Sequence, residues 1–154
     1  MLSWLKSKLK VPVTTGPSEV LRRLDPAATP VTRDGVVRDG DSWRVTVSER
    51  RTVRLFELPL AGVEQCLLAY RVSLRTEKAA GIYLQMWCRF AGRGEFFSKG
   101  LHDKVRGTTD WSSHEVPFIL RRGQSPDLVK LDLVFEGAGT CWVRDVEVLR
   151  TPIE

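Results

Sequence analysis

The apolar and polar positions of Gly81–Phe90 alternate without a break. Ile82, Leu84, Met86, Cys88 and Phe90 fall in one phase, and Tyr83, Gln85, Trp87 and Arg89 in the other. Successive side chains of a β-strand point to opposite faces, so this pattern predicts a strand with one aliphatic face for a core and one aromatic and polar face turned away from it. The same period recurs along the chain. Trp43, Val45 and Val47 alternate with polar residues over 43–48, and Thr52–Leu58 is a second strand stopped by Pro59. In Gln65–Thr76, Leu68, Tyr70, Val72 and Leu74 share one phase while Arg71, Ser73 and Arg75 take the other. Glu95–Ser98, Ser113–Leu120, Val129–Phe135 and Thr140–Leu149 complete the series. About eight strands separated by Gly, Pro and Asp turns, with no amphipathic helix of ordinary length among them, predict an all-β protein built as an antiparallel sandwich or barrel.

The pattern before Val36 is different. Met1–Lys10 sets Leu2, Leu5 and Leu9 at helical spacing, with Trp4 beside them and Lys6, Lys8 and Lys10 as positive charges. It reads as a short N-terminal helical arm, suited either to an anionic membrane surface or to docking as a terminal helix. Val11–Gly40 is rich in Pro, Thr, Gly, Asp and Arg. Within it, Ser18 as N-cap, Val20, Leu21 and Leu24 allow one helical turn ended by Pro26. The expected division is an arm and lead-in loop over 1–35 and a sandwich domain over 36–154.

Composition narrows the function classes. A chain of 154 residues is long enough for one domain with a proper core. Its net charge of +5 favours acidic surfaces weakly, and its basic residues are spread along the chain, so no nucleic-acid footprint is expected. Cys66, Cys88 and Cys141 match no zinc spacing and form no even set. Cys66 and Cys88 sit at apolar-phase positions, as small buried hydrophobes do. A reducing compartment follows, and with no secretory h-region the expected location is the cytoplasm, at the periphery of a membrane if the arm attaches there. No Gly-x-Ser-x-Gly elbow occurs and His102 and His114 are the only histidines. Glu95 with Asp103, and Asp132 with Glu136, have the residue types of a glycosidase pair, but solvated strands produce such pairs by chance. The protein is expected not to be an enzyme.

The C-terminal half carries a more specific phrase. Gly107-Thr-Thr-Asp-Trp-Ser-Ser-His-Glu-Val-Pro-Phe118 leads to Val129-Lys-Leu-Asp-Leu-Val-Phe135 and then to Gly137-Ala-Gly-Thr-Cys-Trp-Val-Arg-Asp-Val-Glu-Val148. This resembles the galactose-binding-like jelly-roll domains, the fold shared by many carbohydrate-binding modules, with their "G-T-x-x-W" strand entry and closing "G-x-G-T-x-W-x-D-D-V" strand. The resemblance spans Trp43–Leu149 and is sharpest over Gly107–Val148. It implies a jelly-roll β-sandwich. It says less about function, because the fold hosts glycan, protein and lipid binders and purely structural modules. In similar domains an Asp near the last strand helps to hold a structural calcium ion, which Asp145 matches, although Arg144 replaces the first Asp of the pattern. No other cofactor is implied. Trp142, in phase with Val146 and Val148, and Trp111, at a strand entry, are expected as packing residues. Gly137 and Gly139 are expected in a tight hairpin at positive φ.

Such sandwiches lay their ligands across a concave sheet. The side chains available for that face are those out of phase with the core: Arg71, Ser73 and Arg75 from one strand, and Tyr83, Gln85, Trp87 and Arg89 from the next. Tyr83 and Trp87 would stack on sugar rings, while Gln85, Arg89, Arg71 and Arg75 would bind hydroxyls or a carboxylate. The expectation is a non-catalytic binding module for a carbohydrate or a related polar or anionic ligand. The alternative is a structural or protein- or membrane-interaction domain in which a loop, the N-terminal segment or another subunit covers that face. In Gly92–Asp103, adjacent Phe96 and Phe97 should face opposite sides, so that one of them points outward.

Overall fold

A computed structural model describes residues 12–154. The helical arm expected over Met1–Lys10, with its membrane or partner contacts, lies outside the described residues. Within them the chain forms nine antiparallel strands and no helix. These are β1 (Glu19–Arg23), β2 (Val36–Asp39), β3 (Ser42–Val47), β4 (Arg51–Pro59), β5 (Cys66–Phe90), β6 (Gly94–Lys99), β7 (Val105–Leu120), β8 (Leu128–Phe135) and β9 (Gly139–Pro152).

The two strands expected over 65–76 and 81–90 are one continuous strand, β5, that belongs to both layers of the sandwich. Residues 66–77 lie between β9 and β7, and residues 82–90 lie between β8 and β6. One layer therefore runs β2-β3-β9-β5-β7, with β1 paired to the far end of β9, and the other runs β4-β8-β5-β6. Strands that change layer do so at a bend. Here the bend is Lys78, which adopts a left-handed conformation with φ of 51°. Its backbone N–H donates to Thr108 Oγ1 at 3.1 Å.

The alternation holds on both sides of this corner. Leu68, Tyr70, Val72 and Leu74 are buried from the first half, and Ile82, Leu84, Met86 and Cys88 from the second. They meet Val45, Leu55, Val116, Leu131, Leu133, Val143 and Val148 in one core. Trp43 closes one end, edge-on to Phe56 at 5.3 Å between ring centroids. Each such aliphatic side chain contributes about 1.5–3 kcal/mol by leaving water.

Two expectations are corrected. The segment around Val20 is strand β1, paired with 147–150 of β9 through a bulge, rather than a helical turn. Leu21 and Leu24 still reach the core from it. Gly137 and Gly139 do not take positive φ. They are small because the β8–β9 hairpin backs onto the β5 corner. A Cβ on Gly139 would stand 2.8 Å from the Cα of Ala79, and one on Gly137 would stand 2.9 Å from the Cβ of Ala80.

Gly139→Ala should therefore strain backbone against backbone, at a cost of about 1–3 kcal/mol, and lower the thermal midpoint by several degrees. Gly81→Ala should cost less, because its Cβ meets the side chain of Glu136, whose end can shift with its Lys104 partner, rather than backbone. Equal midpoints for Gly139→Ala and the parent protein would show that the corner is not tightly packed.

Candidate ligand-binding face

The six residues expected to form one site are divided between the two outer faces of the sandwich. Tyr83, Gln85, Trp87 and Arg89 project from the β4-β8-β5-β6 layer, and that face is closed over itself. Tyr83 and Gln85, expected to meet a ligand, are buried at 8% and 6% exposure. Gln85 Nε2 donates to Asp132 Oδ2 at 2.9 Å, and Arg54 Nε donates to Asp132 Oδ1 at 3.0 Å. Asp132 has no solvent exposure at all. Lys130 Nζ donates to Glu95 Oε1 at 2.6 Å. Arg89 donates to both oxygens of Asp127, at 2.9 and 3.2 Å, and these bonds hold the Asp127 carboxyl below the usual carboxylate range. Trp87 packs on Phe97 with centroids 5.0 Å apart, and Phe96 packs on Phe90 at 5.9 Å. Phe96 and Phe97 take opposite faces, as expected, with Phe97 on the outer one beside Trp87; Phe96, on the inner side, is also about half exposed because β6 is an edge strand.

Arg71, Ser73 and Arg75 project from the other layer, and there the structure adds two aromatic residues that sequence reasoning had assigned to packing. Residues directly opposite one another in a sheet share a face. Arg44 of β3 pairs with Trp142 of β9, and Trp142 pairs with Arg75 of β5. Trp111 of β7 stands on the far side of Arg75. The Arg75 guanidinium lies 4.1 Å from the Trp142 ring centroid and 5.7 Å from that of Trp111. Arg144 reaches across β5 to stack on Trp111 at 3.9 Å. Its register partner there is Ser73, too short to stand in the way. Trp142 Nε1 donates to Asp39 Oδ2 at 3.0 Å, which fixes the ring in its plane. A cavity of about 430 Å³ opens beside this group, with Arg75, Lys78, Thr108, Asp110 and Trp142 in its wall.

The misplacement of Trp142 has a definite cause. Asp145 adopts φ of 54°, and the β5–β9 register shifts between Arg71 and Ser73. This bulge changes the phase of β9. Cys141 and Val143 point inward before it, and Val146 and Val148 point inward after it. Trp142 shares the parity of Val146 in sequence and the opposite face in space. Trp111 was closer to reach: it is out of phase with buried Val116 and Leu120, and the β5–β7 register is regular from Leu120 to Ser112, shifting only beside Trp111.

The surroundings of Asp145 do not fit the implied calcium ion. Its carboxylate is engaged by Arg23 at 3.2 Å and Arg144 at 3.7 Å, and two guanidinium groups repel a dication. Among the described residues no cluster of three or more His, Cys, Asp or Glu side chains is placed to supply the six or so oxygens that calcium takes. The acids considered as a glycosidase pair are also engaged. Hydrogen bonds from Lys130 to Glu95 and from Lys104 to Glu136 lower both carboxyl pKa values, opposite to what a general acid needs. Asp103 Oδ1 lies 2.9 Å from His114 Nδ1, and His114 Nε2 lies 2.7 Å from Ser112 Oγ, which fastens the loop before β7 to that strand. Burial pushes the thiols of Cys88 and Cys141 up to about 12 and raises that of Cys66, so none is a nucleophile near neutral pH.

No family model matches the chain, and no curated protein matches it. Solved structures do. A CBM4 module superposes with a TM-score of 0.52 at 14% identity, over 94% of this chain and 83% of that one. The fold is a carbohydrate-binding-module-like β-sandwich. A variant of a family 29 carbohydrate-binding module matches with a TM-score of 0.53 at 10% identity, over 88% of this chain and 94% of that one. A Clostridium thermocellum endo-1,4-β-D-xylanase 10B structure with CBM22-1 and GH10 modules, complexed with xylohexaose, matches at 0.51 and 10% identity. There 85% of this chain covers 28% of the other. At such identities the likeness concerns the fold.

The raised thiol pKa values have a direct consequence. At pH 8 the thiols of the folded protein stay protonated and buried, so iodoacetamide should label almost none of them, whereas all three should react after unfolding in guanidinium. Fast labelling of the native protein would show that the core opens readily around β5 and β9.

Proposed function

We propose that this protein is a non-catalytic carbohydrate-binding module whose ligand lies across the outer face of the β2-β3-β9-β5-β7 layer. The observation that carries this reading is the pair of tryptophans, Trp111 and Trp142, standing on either side of Arg75 on that face. A sugar ring presents apolar C–H patches to an aromatic face, and its hydroxyls need planar or hydroxylic partners. Ser73, Ser113 and Arg71 lie along the same face for that purpose. The hydrogen bond to Asp39 sets Trp142 before a ligand arrives, and a preset ring loses less freedom on binding.

The neighbours in fold support the same class: the CBM4 and family 29 proteins are carbohydrate-binding modules, and the xylanase structure is a complex with xylohexaose. The engaged acids Glu95, Asp103, Asp132 and Glu136 support a binding role over a hydrolytic one. Of the residues expected from the sequence, Arg71 and Arg75 belong to this reading. Tyr83, Gln85, Trp87 and Arg89 belong to the opposite, self-satisfied face. A second reading, an interaction domain for a protein partner, is favoured by half-exposed Phe96, Phe97 and Leu101 on and beside edge strand β6.

On a glycan array, with intrinsic fluorescence for the hits, Trp111→Ala and Trp142→Ala should each weaken binding by about tenfold or more, or about 1.4 kcal/mol. The thermal midpoints should change little, and Trp87→Ala should leave affinity intact. Loss of binding in Trp87→Ala but not in Trp142→Ala would move the ligand to the opposite face. An array with no hit would remove the glycan reading in favour of the interaction domain.

A further inference from the structure

We propose that the ligand of the Trp111–Trp142 face is an acidic glycan and that Arg75 is the residue that binds its anionic group. The inference rests on the reading of this face as a glycan site and adds the ligand's charge to it. It comes from comparing the arginines that β3, β5 and β9 set around this group. Arg44 pairs with Asp39 at 3.6 Å. Arg71 pairs with Glu147 at 3.2 Å. Arg144 pairs with Asp41 and with Asp145, each at 3.7 Å. Arg75 differs: among the described residues it has no ion pair, and its Nε is buried without a hydrogen-bond partner.

An arginine with no acid near it usually extends into water, where its donors are hydrated. Arg75 instead sits over the Trp142 ring with Trp111 on its other side, at 4.1 and 5.7 Å from the two centroids. Stacking on aromatic faces holds a guanidinium in place through its π surface without using its N–H donors, and no hydrogen bond or ion pair engages those of Arg75 among the described residues. The acids nearest to it have other roles. Asp110 shares the cavity wall but caps the backbone N–H of Trp111 at 2.8 Å, and Glu77 lies beside Lys78 at the strand corner. A fixed, partly desolvated guanidinium edge, flanked by rings suited to sugar C–H groups, matches an anion carried on a sugar ring. Carboxylates and sulfate esters both satisfy the fork geometry bidentately, so the shared chemistry is a planar or tetrahedral oxyanion on a saccharide. The Lys78 ammonium at the same cavity adds positive potential without competing for the stacked position.

The test uses the full chain against three matched probes: an oligogalacturonide, the same oligomer carboxyl-reduced to its neutral form, and a sulfated neutral oligosaccharide. The acidic forms should bind at least tenfold more tightly than the reduced one, and the difference should shrink as salt rises. Arg75→Gln should abolish the preference for the acidic forms over the reduced one, read as the ratio of their affinities within the variant. Arg75→Lys, which keeps the charge but not the fork, should retain part of the preference. Tighter binding of the sulfated than of the carboxylated probe would identify the anion as a sulfate ester within the same proposal. Equal binding of acidic and reduced oligomers, both lost in Trp142→Ala, would overturn the role of Arg75 and leave the glycan module standing. Absence of binding to all three probes and across the array would overturn both.

Discussion

The architecture depends on one strand, β5, being hydrogen-bonded into both layers. Its first half is held by β7 and β9 and its second by β6 and β8. The left-handed residue at Lys78 and the small residues Ala79, Ala80 and Gly81 make the bend between the halves. Because the phase of the strand survives the bend, its apolar residues on both sides enter the same core. For the same reason its polar residues must leave on opposite sides of the sandwich. A site combining Arg75 with Trp87 is therefore excluded by the geometry that makes the core possible. This constraint also explains why the β8–β9 hairpin carries glycines: it is the element against which the bend closes.

A second local feature decides which face is chemically open. The bulge at Asp145 lets β9 bury Val146 and Val148 at one end and present Trp142 at the other. Bulges insert one residue and re-aim what lies on either side. Without this one, keeping Val146 and Val148 inside would turn Trp142 inward and Cys141 and Val143 outward, and Arg75 would lose its closer aromatic partner. The Asp145 carboxylate, held by Arg23 and Arg144, ties the bulge to β1 and to the arginine stacked on Trp111. The aspartate that resembles a calcium ligand in sequence thus serves as an ionic clamp on the strand that places the face.

Much of the fold was legible because period-two alternation is a strong signal. Strands β3, β4, β6, β8 and β9 and both halves of β5 fall close to their expected positions, and the phrase around Trp111 and Trp142 pointed to the right class of sandwich. The site was less legible, for physical reasons. Alternation reports which side of a strand a residue occupies, but not which layer that side belongs to after a bend, nor what the neighbouring strands place over it. Tyr83 and Gln85 are out of phase with the core, as expected, and of the two alternatives for their face, open or covered, the covered one holds for them, with Asp132 and Val134 of β8 burying them from the next strand. Trp142 was misread because a single left-handed residue, carried here by an Asp rather than a Gly, gave no turn signal in an otherwise regular strand. Strand β1 was missed because five residues with one apolar pair carry too little pattern to compete with a helical-turn reading.

The two outer faces contrast in how their polar groups are satisfied, and that contrast supports the functional reading better than aromatic content alone. Both faces carry tryptophan and arginine. On the β4-β8-β5-β6 side, the buried carboxylate of Asp132 is met by Arg54 and Gln85, Lys130 by Glu95, and Arg89 by Asp127. A ligand there would have to break bonds already formed and would regain little, since exchanging one good partner for another is nearly neutral. On the β2-β3-β9-β5-β7 side, the rings are preset and one guanidinium is oriented without an acceptor. Arg44, Arg71 and Arg144 are paired there as well, so on the proposed reading Arg75 is the group at which a ligand would add bonds rather than replace them. Fold likeness concerns the arrangement of strands and does not choose between the faces. The unequal satisfaction of the two faces is what the proposal for this one rests on.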